Sequence, residues 1–155
     1  MEHRIRCTVN GVERELMVSS EETLLQTLTR RLRLCGAREV CGIGVCGACT
    51  VLLNGSPISS CAYPAAFVDG GTILTIEGLA RGNLLHPLQE AFIKFRASQC
   101  GYCTPGMILS AKALLDANPK PNETEVKKAL AGNLCRCTGY QRIVQAVLSV
   151  VDGGK

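Results

Sequence analysis

The sequence has no apolar run long enough to cross a bilayer, and none follows Met1-Glu2-His3-Arg4 at the N-terminus. A spanning helix needs about 20 consecutive apolar residues, so no membrane span is expected. A secretory signal needs a shorter apolar core, and its absence predicts that the chain is not exported. Chemistry-bearing motifs are equally scarce. There is no nucleophile motif and no glycine-rich phosphate loop, and Glu39 has neither a second carboxylate nor a histidine beside it in a recognisable constellation. Bond-making chemistry on a substrate is therefore not expected of this chain's own side chains.

What the sequence has in abundance is cysteine, ten in 155 residues. Thiols at this density without an export signal point to metal ligation in the reducing cytoplasm, where structural disulfides rarely persist. The organising stretch is Cys41-Gly42-Ile43-Gly44-Val45-Cys46-Gly47-Ala48-Cys49, followed by an isolated Cys61. C-x4-C-x2-C with a later fourth cysteine is the plant-type pattern in which four thiolates hold one [2Fe–2S] cluster. The glycines give the pattern a physical basis. A loop that wraps thiolates around a cluster must bring its backbone close and adopt unusual φ values, both of which Gly permits. A zinc site groups its ligands as two close pairs, which this triplet fits poorly.

The second set is Cys100-Gly101-Tyr102-Cys103 with Cys135-Arg136-Cys137. Two close cysteine pairs are common zinc geometry, so for this set alone zinc and iron–sulfur both stay open. The C-x-C pair predicts a loop, because on a strand adjacent side chains point to opposite faces. Cys103-Thr104-Pro105-Gly106 and Cys137-Thr138-Gly139-Tyr140 form a weak internal repeat. Each places a Thr able to cap just before a helical stripe, so two helix N-termini are expected to face one cysteine nest.

The charge balance, 17 Lys and Arg against 13 Asp and Glu, is formally +4. It does not indicate a nucleic-acid binder. The only tight basic run is Arg30-Arg31-Leu32-Arg33, which reads as a solvated helix end. Each oxidised [2Fe–2S] site with its four thiolates adds −2, so two such sites would bring the total to about 0.

Local periodicity divides the chain into an N-terminal α+β half, residues 1–78, and an all-helical half, residues 79–155. Residues 4 to 9 alternate as a strand, Asn10-Gly11 is a hairpin turn, and the partner strand runs from Val12 to Val18. Ser19 with Glu22 reads as a capping box for a helix reaching Leu32, with Leu24, Leu25, Leu28 and Leu32 buried. Strands are expected at Thr50–Leu53, before the turn Asn54-Gly55, and at Thr72–Ile76. Ala80-Arg81-Gly82-Asn83 bridges the halves. Helical stripes follow at Leu88/Ala91/Phe92/Phe95, Met107/Ala111/Leu114, Val126/Ala129/Leu130 and Tyr140/Ile143/Val144/Val147/Leu148/Val151, which predict a four-helix domain. Asn118-Pro119-Lys120-Pro121-Asn122 parts the middle helices, and residues 152–155 are expected to fray.

Among the remaining candidates, Cys7 and Cys35 lie outside both patterns and read as small buried hydrophobes. His86, directly before Pro87, reads as a cap or a surface residue and His3 as solvated. Tyr102 and Tyr140 flank the second set as packing residues.

The first cysteine set, the phrase Gln99-Cys-Gly-Tyr-Cys-Thr-Pro-Gly106 and the phrase Gly132-Asn-Leu-Cys-Arg-Cys-Thr-Gly-Tyr140 together resemble the iron–sulfur subunit of the molybdenum hydroxylases, the xanthine oxidase family. The resemblance spans residues 5 to 151 and is closest to the separate small subunit of bacterial members. It implies a ferredoxin-like β-grasp domain holding one [2Fe–2S] cluster on Cys41, Cys46, Cys49 and Cys61. It also implies a four-helix domain holding a second on Cys100, Cys103, Cys135 and Cys137. The implied role is electron transfer from a molybdopterin centre in a large subunit, through the second cluster and then the first, to FAD in a medium subunit. The implied assembly is an (αβγ)2 heterohexamer. Gln99 and Cys137 are implied to lie near the molybdopterin. Val45 departs from the acidic residue common in relatives, which bears on cluster potential and leaves ligation intact. A free-standing ferredoxin would leave the helical half unexplained, and a zinc-binding interaction module would leave the first loop unexplained.

Overall fold

A computed structural model describes residues 1–152. Strand β1 (Glu2–Val9) turns through Asn10 and Gly11, at φ 52 and 80, into the antiparallel β2 (Val12–Ser19), with Val9 opposite Val12 and Glu2 opposite Ser19. Both turn residues are left-handed, as a two-residue hairpin matching the strand twist requires. The same chemistry recurs at Asn54-Gly55 between β3 (Thr50–Leu53) and β4 (Ser56–Ser59). The last strand, β5 (Thr72–Leu74), inserts parallel to β1 and antiparallel to β3, so the sheet order is β2-β1-β5-β3-β4. Ile5, Val9, Val18, Val51 and Ile73 point from the sheet into one core with Leu24, Leu25 and Leu28. A mixed sheet grasping a short helical segment is the expected ferredoxin-like β-grasp.

The helical segment starts later than expected. The capping box is formed by Thr23, not Ser19: Thr23 Oγ1 accepts from the Gln26 N–H at 3.2 Å and Gln26 Oε1 accepts from the Thr23 N–H at 3.1 Å. Ser19 is still paired in β2, and Glu22 is engaged by the Arg31 guanidinium at 2.6 Å and by Thr27 Oγ1 at 2.8 Å. The helix α1 (Leu24–Gln26) continues as a π-helical turn over Thr27–Arg31. Leu32 is only partly buried, and Arg33 reverses the chain at φ 58. That reversal corrects one expectation: Leu34 and Ala37 turn toward the core, and Cys35 is left exposed. Strand β5 also stops two residues early, because the Asn10 side chain takes the Thr75 N–H at 2.9 Å and donates to Thr75 Oγ1 at 2.9 Å.

After a short exposed loop bridged by Arg81 and Leu84, four helices follow among the described residues: α2 (Pro87–Lys94), α3 (Thr104–Ala117), α4 (Glu123–Leu130) and α5 (Gln141–Asp152). The expected stripes supply their core, with Leu88, Phe92, Met107, Ala111, Val126, Leu130, Ile143 and Val147 buried together. Phe95 sits at the end of α2 and packs from the rim. His86 caps α2 as expected, its Nδ1 accepting from the Leu88 N–H at 3.2 Å. Burial, with the nearby Lys112 ammonium, pulls its pKa below the usual imidazole value, which keeps that acceptor lone pair free. The α+β class and the order of its two halves are as expected. The halves also touch, since α3 packs on β3 and β4. No helix among the described residues is long and apolar enough to cross a membrane. The fraying expected over 152–155 falls, from residue 153 on, outside the described residues.

Candidate metal centres

The loop from Ala37 to Cys49 has no regular structure, so its backbone N–H groups are free to serve the thiols. Cys41 Sγ accepts from the N–H groups of Val45 and Cys46, both at 3.4 Å. These and the Ile43 N–H, which has the largest effect, hold the Cys41 thiol down to about 6. Gly44 and Gly47 make this wrapping possible, at φ 79 and 68. A Cβ on Gly47 would stand 2.3 Å from the Gly132 carbonyl, so only Gly fits there. Cys61 arrives on a 3-10 turn after β4, and Ser60 Oγ ties that turn to the Cys49 carbonyl at 2.7 Å. Burial, and then the neighbouring Cys49 thiol, pushes Cys61 up to about 11.

In the second set, Gly101 at φ 78 turns Cys100 and Cys103 back toward the loop after α4, where Cys135 and Cys137 lie. The predicted loop for the C-x-C pair is present. Cys137 Sγ and Cys100 Sγ are 3.7 Å apart on the exposed side. Cys103 and Cys135 are the half-buried pair, and burial followed by the Cys135 thiol pushes Cys103 up to about 12. The expected Thr cap is absent at α3. Cys103 itself occupies the position before α3, while Thr104 Oγ1 donates to Ser98 Oγ at 3.0 Å. Thr138 Oγ1 accepts from the Tyr140 N–H ahead of α5 at 3.3 Å and donates to Cys135 Sγ at 3.0 Å. Burial raises the Cys135 thiol, but hydrogen bonds from the Thr138 hydroxyl and from nearby backbone outweigh it and hold the thiol below its ordinary value. The four thiols line a cavity of about 430 Å³ that also reaches Cys46 and Ala48 of the first loop.

Burial that raises Cys61 and Cys103 opposes gathering thiolates unless a cation compensates them. All ten cysteines are free thiols. Among the described residues no group of three or more His, Cys, Asp or Glu is drawn in around a single-ion position. Within each set the sulfurs interact with one another, and backbone N–H groups point at sulfur in both. This donor chemistry fits a thiolate-held iron–sulfur group, which binds four thiolates and is tuned by hydrogen bonds to sulfur.

The two sets are joined directly. The Leu134 N–H donates to the Cys46 carbonyl at 2.8 Å, placing the neighbour of Cys135 against the backbone of Cys46. Arg38 Nη1 donates to the Gly101 carbonyl at 2.7 Å, and its guanidinium stacks over Tyr102 at 4.8 Å. Asn133 donates to the Gly47 carbonyl at 2.9 Å. Sequence reasoning missed Arg38, Asn133 and Thr138 as site residues. Asn133 and Thr138 lie inside a phrase already singled out for its cysteines, whereas nothing local marks Arg38.

The other candidates are placed as follows. Gln99 is exposed next to the exposed Cys100, and Cys137 is exposed as well. Tyr140 packs, its hydroxyl accepting from the Cys135 N–H at 2.8 Å and donating to the Asn133 carbonyl at 3.0 Å. Cys7 is buried, and burial followed by Asp69 raises its pKa. Glu39 is exposed, as is Cys35.

Comparison with known proteins identifies both halves. Residues 7–72 match the 2Fe-2S iron-sulfur cluster binding domain and residues 75–148 match the [2Fe-2S] binding domain. The chain is 52% identical over 140 residues to the nicotine 6-hydroxylase small subunit of Paenarthrobacter nicotinovorans, covering 90% of this chain and 84% of that relative. It is 47% identical over 149 residues to the xanthine dehydrogenase iron-sulfur-binding subunit of Escherichia coli O157:H7, covering 93% and 91%. Among solved structures, quinoline 2-oxidoreductase from Pseudomonas putida 86 superposes with a TM-score of 0.94 at 40% identity, covering 98% of this chain and 95% of that one. This chain therefore belongs to the small iron–sulfur subunits of the xanthine oxidase family of molybdenum hydroxylases, electron-transfer components of larger oxidoreductase complexes.

Proposed function

We propose that Cys41, Cys46, Cys49 and Cys61 hold one [2Fe–2S] cluster and Cys100, Cys103, Cys135 and Cys137 a second. The chain would thereby connect a molybdopterin centre in a large partner subunit to FAD in a medium one. Each cluster, when bound, supplies one-electron redox chemistry. The second set faces the molybdopterin side, with Gln99 and Cys137 nearest to it, and the first faces the flavin. The partners assemble with this chain as an (αβγ)2 heterohexamer in the cytoplasm. Residues 1–78 and 79–155 are the two functional domains; the buried residues form two cores, the first ending at Ile73, with Leu74 and Ile76 packed on the second.

The observation that carries this reading is the 2.8 Å hydrogen bond from the Leu134 N–H to the Cys46 carbonyl. It joins backbone adjacent to one ligand set with the backbone of the other, a short bonded route between two redox sites. A free-standing ferredoxin has no use for it. The protein's own contribution is to hold the thiolates, aim donors at them and fix the spacing of the two sites. The test is metal and sulfide content with EPR of reduced holo-protein. Four irons, four acid-labile sulfides and two distinct signals are expected from two four-thiolate sites. One homogeneous signal with two irons per chain after full reconstitution would defeat the proposal.

A further inference from the structure

Backbone N–H groups serve sulfurs in both thiol sets, but at Cys135 a side-chain hydroxyl joins them. At Cys41 the donors are backbone N–H groups, which the fold supplies whatever the side chains are. At Cys135 a side-chain donor is added to nearby backbone, with Thr138 Oγ1 at 3.0 Å from Sγ. As a ligand Cys135 is a thiolate with no proton to give, so the hydroxyl is the donor. The Tyr140 N–H donates to the same hydroxyl oxygen at 3.3 Å, which occupies a lone pair and is compatible with the hydroxyl proton lying on the sulfur.

Cys135 is also held at its other end. Its N–H donates to the Tyr140 hydroxyl at 2.8 Å, and that hydroxyl donates onward to the Asn133 carbonyl at 3.0 Å. Tyr140 reaches both groups because its backbone is left-handed, φ 65, directly after Gly139 at φ 63. Such conformations are costly for a bulky residue and persist where the surroundings over-determine them. The loop is thus built to keep one hydroxyl on one half-buried sulfur.

A donor aimed at a ligand sulfur favours the more negative redox state, in which more charge resides on sulfur. We propose that Thr138 is a redox-tuning residue whose hydroxyl raises the reduction potential of the [2Fe–2S] cluster held in the second set, making that site the better acceptor for electrons entering from the partner. This rests on the reading of Cys135 as a ligand. The step is one electron lost by the partner's donor and one gained at the site, while the threonine proton stays on oxygen.

The test is an EPR-monitored redox titration of both centres in the assembled complex, with Thr138→Val and Thr138→Ser. The valine variant removes the donor at nearly constant volume, and serine restores it. Thr138→Val should disfavour reduction of the second centre by about tenfold, about 59 mV for a one-electron couple, as expected for loss of one charge-assisted hydrogen bond. The first centre should not move, and Thr138→Ser should titrate near wild type. An unshifted valine variant, or a serine variant shifted as far as valine, overturns the proposal.

Should Thr138→Val fail to load the second centre, pulsed deuterium spectroscopy decides on wild-type protein briefly exchanged into D2O. A rapidly exchanged deuteron coupled to the reduced second centre supports the hydroxyl, and its absence overturns it. Cys135→Ala is titrated alongside. Loss of the second centre's signal there upholds the ligand reading, so that a failure in Thr138→Val belongs to the tuning role alone. Retention of both signals removes the ligand reading and the proposal with it.

Discussion

The side-chain amide of Asn133 donates to the main-chain carbonyl of Gly47 at 2.9 Å, across 86 residues of sequence and between the two halves of the chain. Asn133 is only 3% exposed, and its remaining capacity is used: Nδ2 also reaches Thr50 Oγ1 at 3.1 Å, and Oδ1 accepts from Ser110 Oγ at 2.7 Å. No buried side-chain polar atom among the described residues is without a partner. A buried network of this kind specifies one arrangement when complete and is expensive when broken. Here the arrangement it specifies is the placement of one cysteine loop against the other.

Asn133→Ala should therefore do two things. It strands Ser110 and part of the Gly47 and Thr50 network, with an expected loss of about 1–3 kcal/mol in denaturant unfolding. It should also loosen the spacing of the two sites, read as a weakened or broadened spin–spin interaction between the reduced centres. Asn133→Asp should be worse, because a carboxylate oxygen would then face the Gly47 carbonyl. Full stability in both variants would show that the network does not set the arrangement.

Two glycines that both have positive φ should differ sharply in tolerance. Gly47 has φ 68, with the Gly132 carbonyl 2.3 Å from where a Cβ would be, while Gly55 has φ 83 and nothing within 4 Å. Gly55→Ala should cost only the backbone strain of a left-handed residue, about 1–2 kcal/mol. Gly47→Ala adds a backbone clash at the junction of the halves and should lower iron loading as well as stability. Thermal melts with iron analysis on both variants check this, and equal behaviour would contradict it.

The spare thiols separate by burial. Cys7→Ala should keep full iron content and lose about 0.5–2 kcal/mol, as a small buried side chain does. Cys35→Ala should keep iron and shift stability by less than about 0.5 kcal/mol, since the side chain is exposed. Cys46→Ala should lose the first centre. A drop in iron on replacing Cys35 would show that the ligand assignment is wrong.

Electron order is checked by freeze-quench EPR on assembled complexes mixed with substrate. Cys49→Ser should leave the second centre rapidly reducible while FAD reduction slows severely. Cys103→Ser should leave the first centre oxidised on rapid mixing. Fast reduction of the first centre in a Cys103→Ser complex lacking the second would reverse the proposed order.

The hairpin at Asn10-Gly11, the turn at Asn54-Gly55 and the four helical stripes were legible in the sequence because each rests on local rules: left-handed turn residues, and burial at the helical period. The cysteine spacings were legible for the same reason, since ligands close in sequence constrain one loop. Tertiary contacts decided the rest. The α1 cap moved from Ser19 to Thr23 because β2 pairing holds Ser19 and because Arg31 and Thr27 hold Glu22. Cys35 faces outward because Arg33 reverses the chain and turns Leu34 and Ala37 toward the core. Thr138 accepts from the Tyr140 N–H ahead of α5 and also serves the thiol set, because Cys135 Sγ lies within reach of its hydroxyl proton. Arg38 with Gly101, Leu134 with Cys46 and Asn133 with Gly47 join residues far apart in sequence. No periodicity encodes such pairs, and the packing of α3 on β3 and β4 helps bring the two halves close enough to form them.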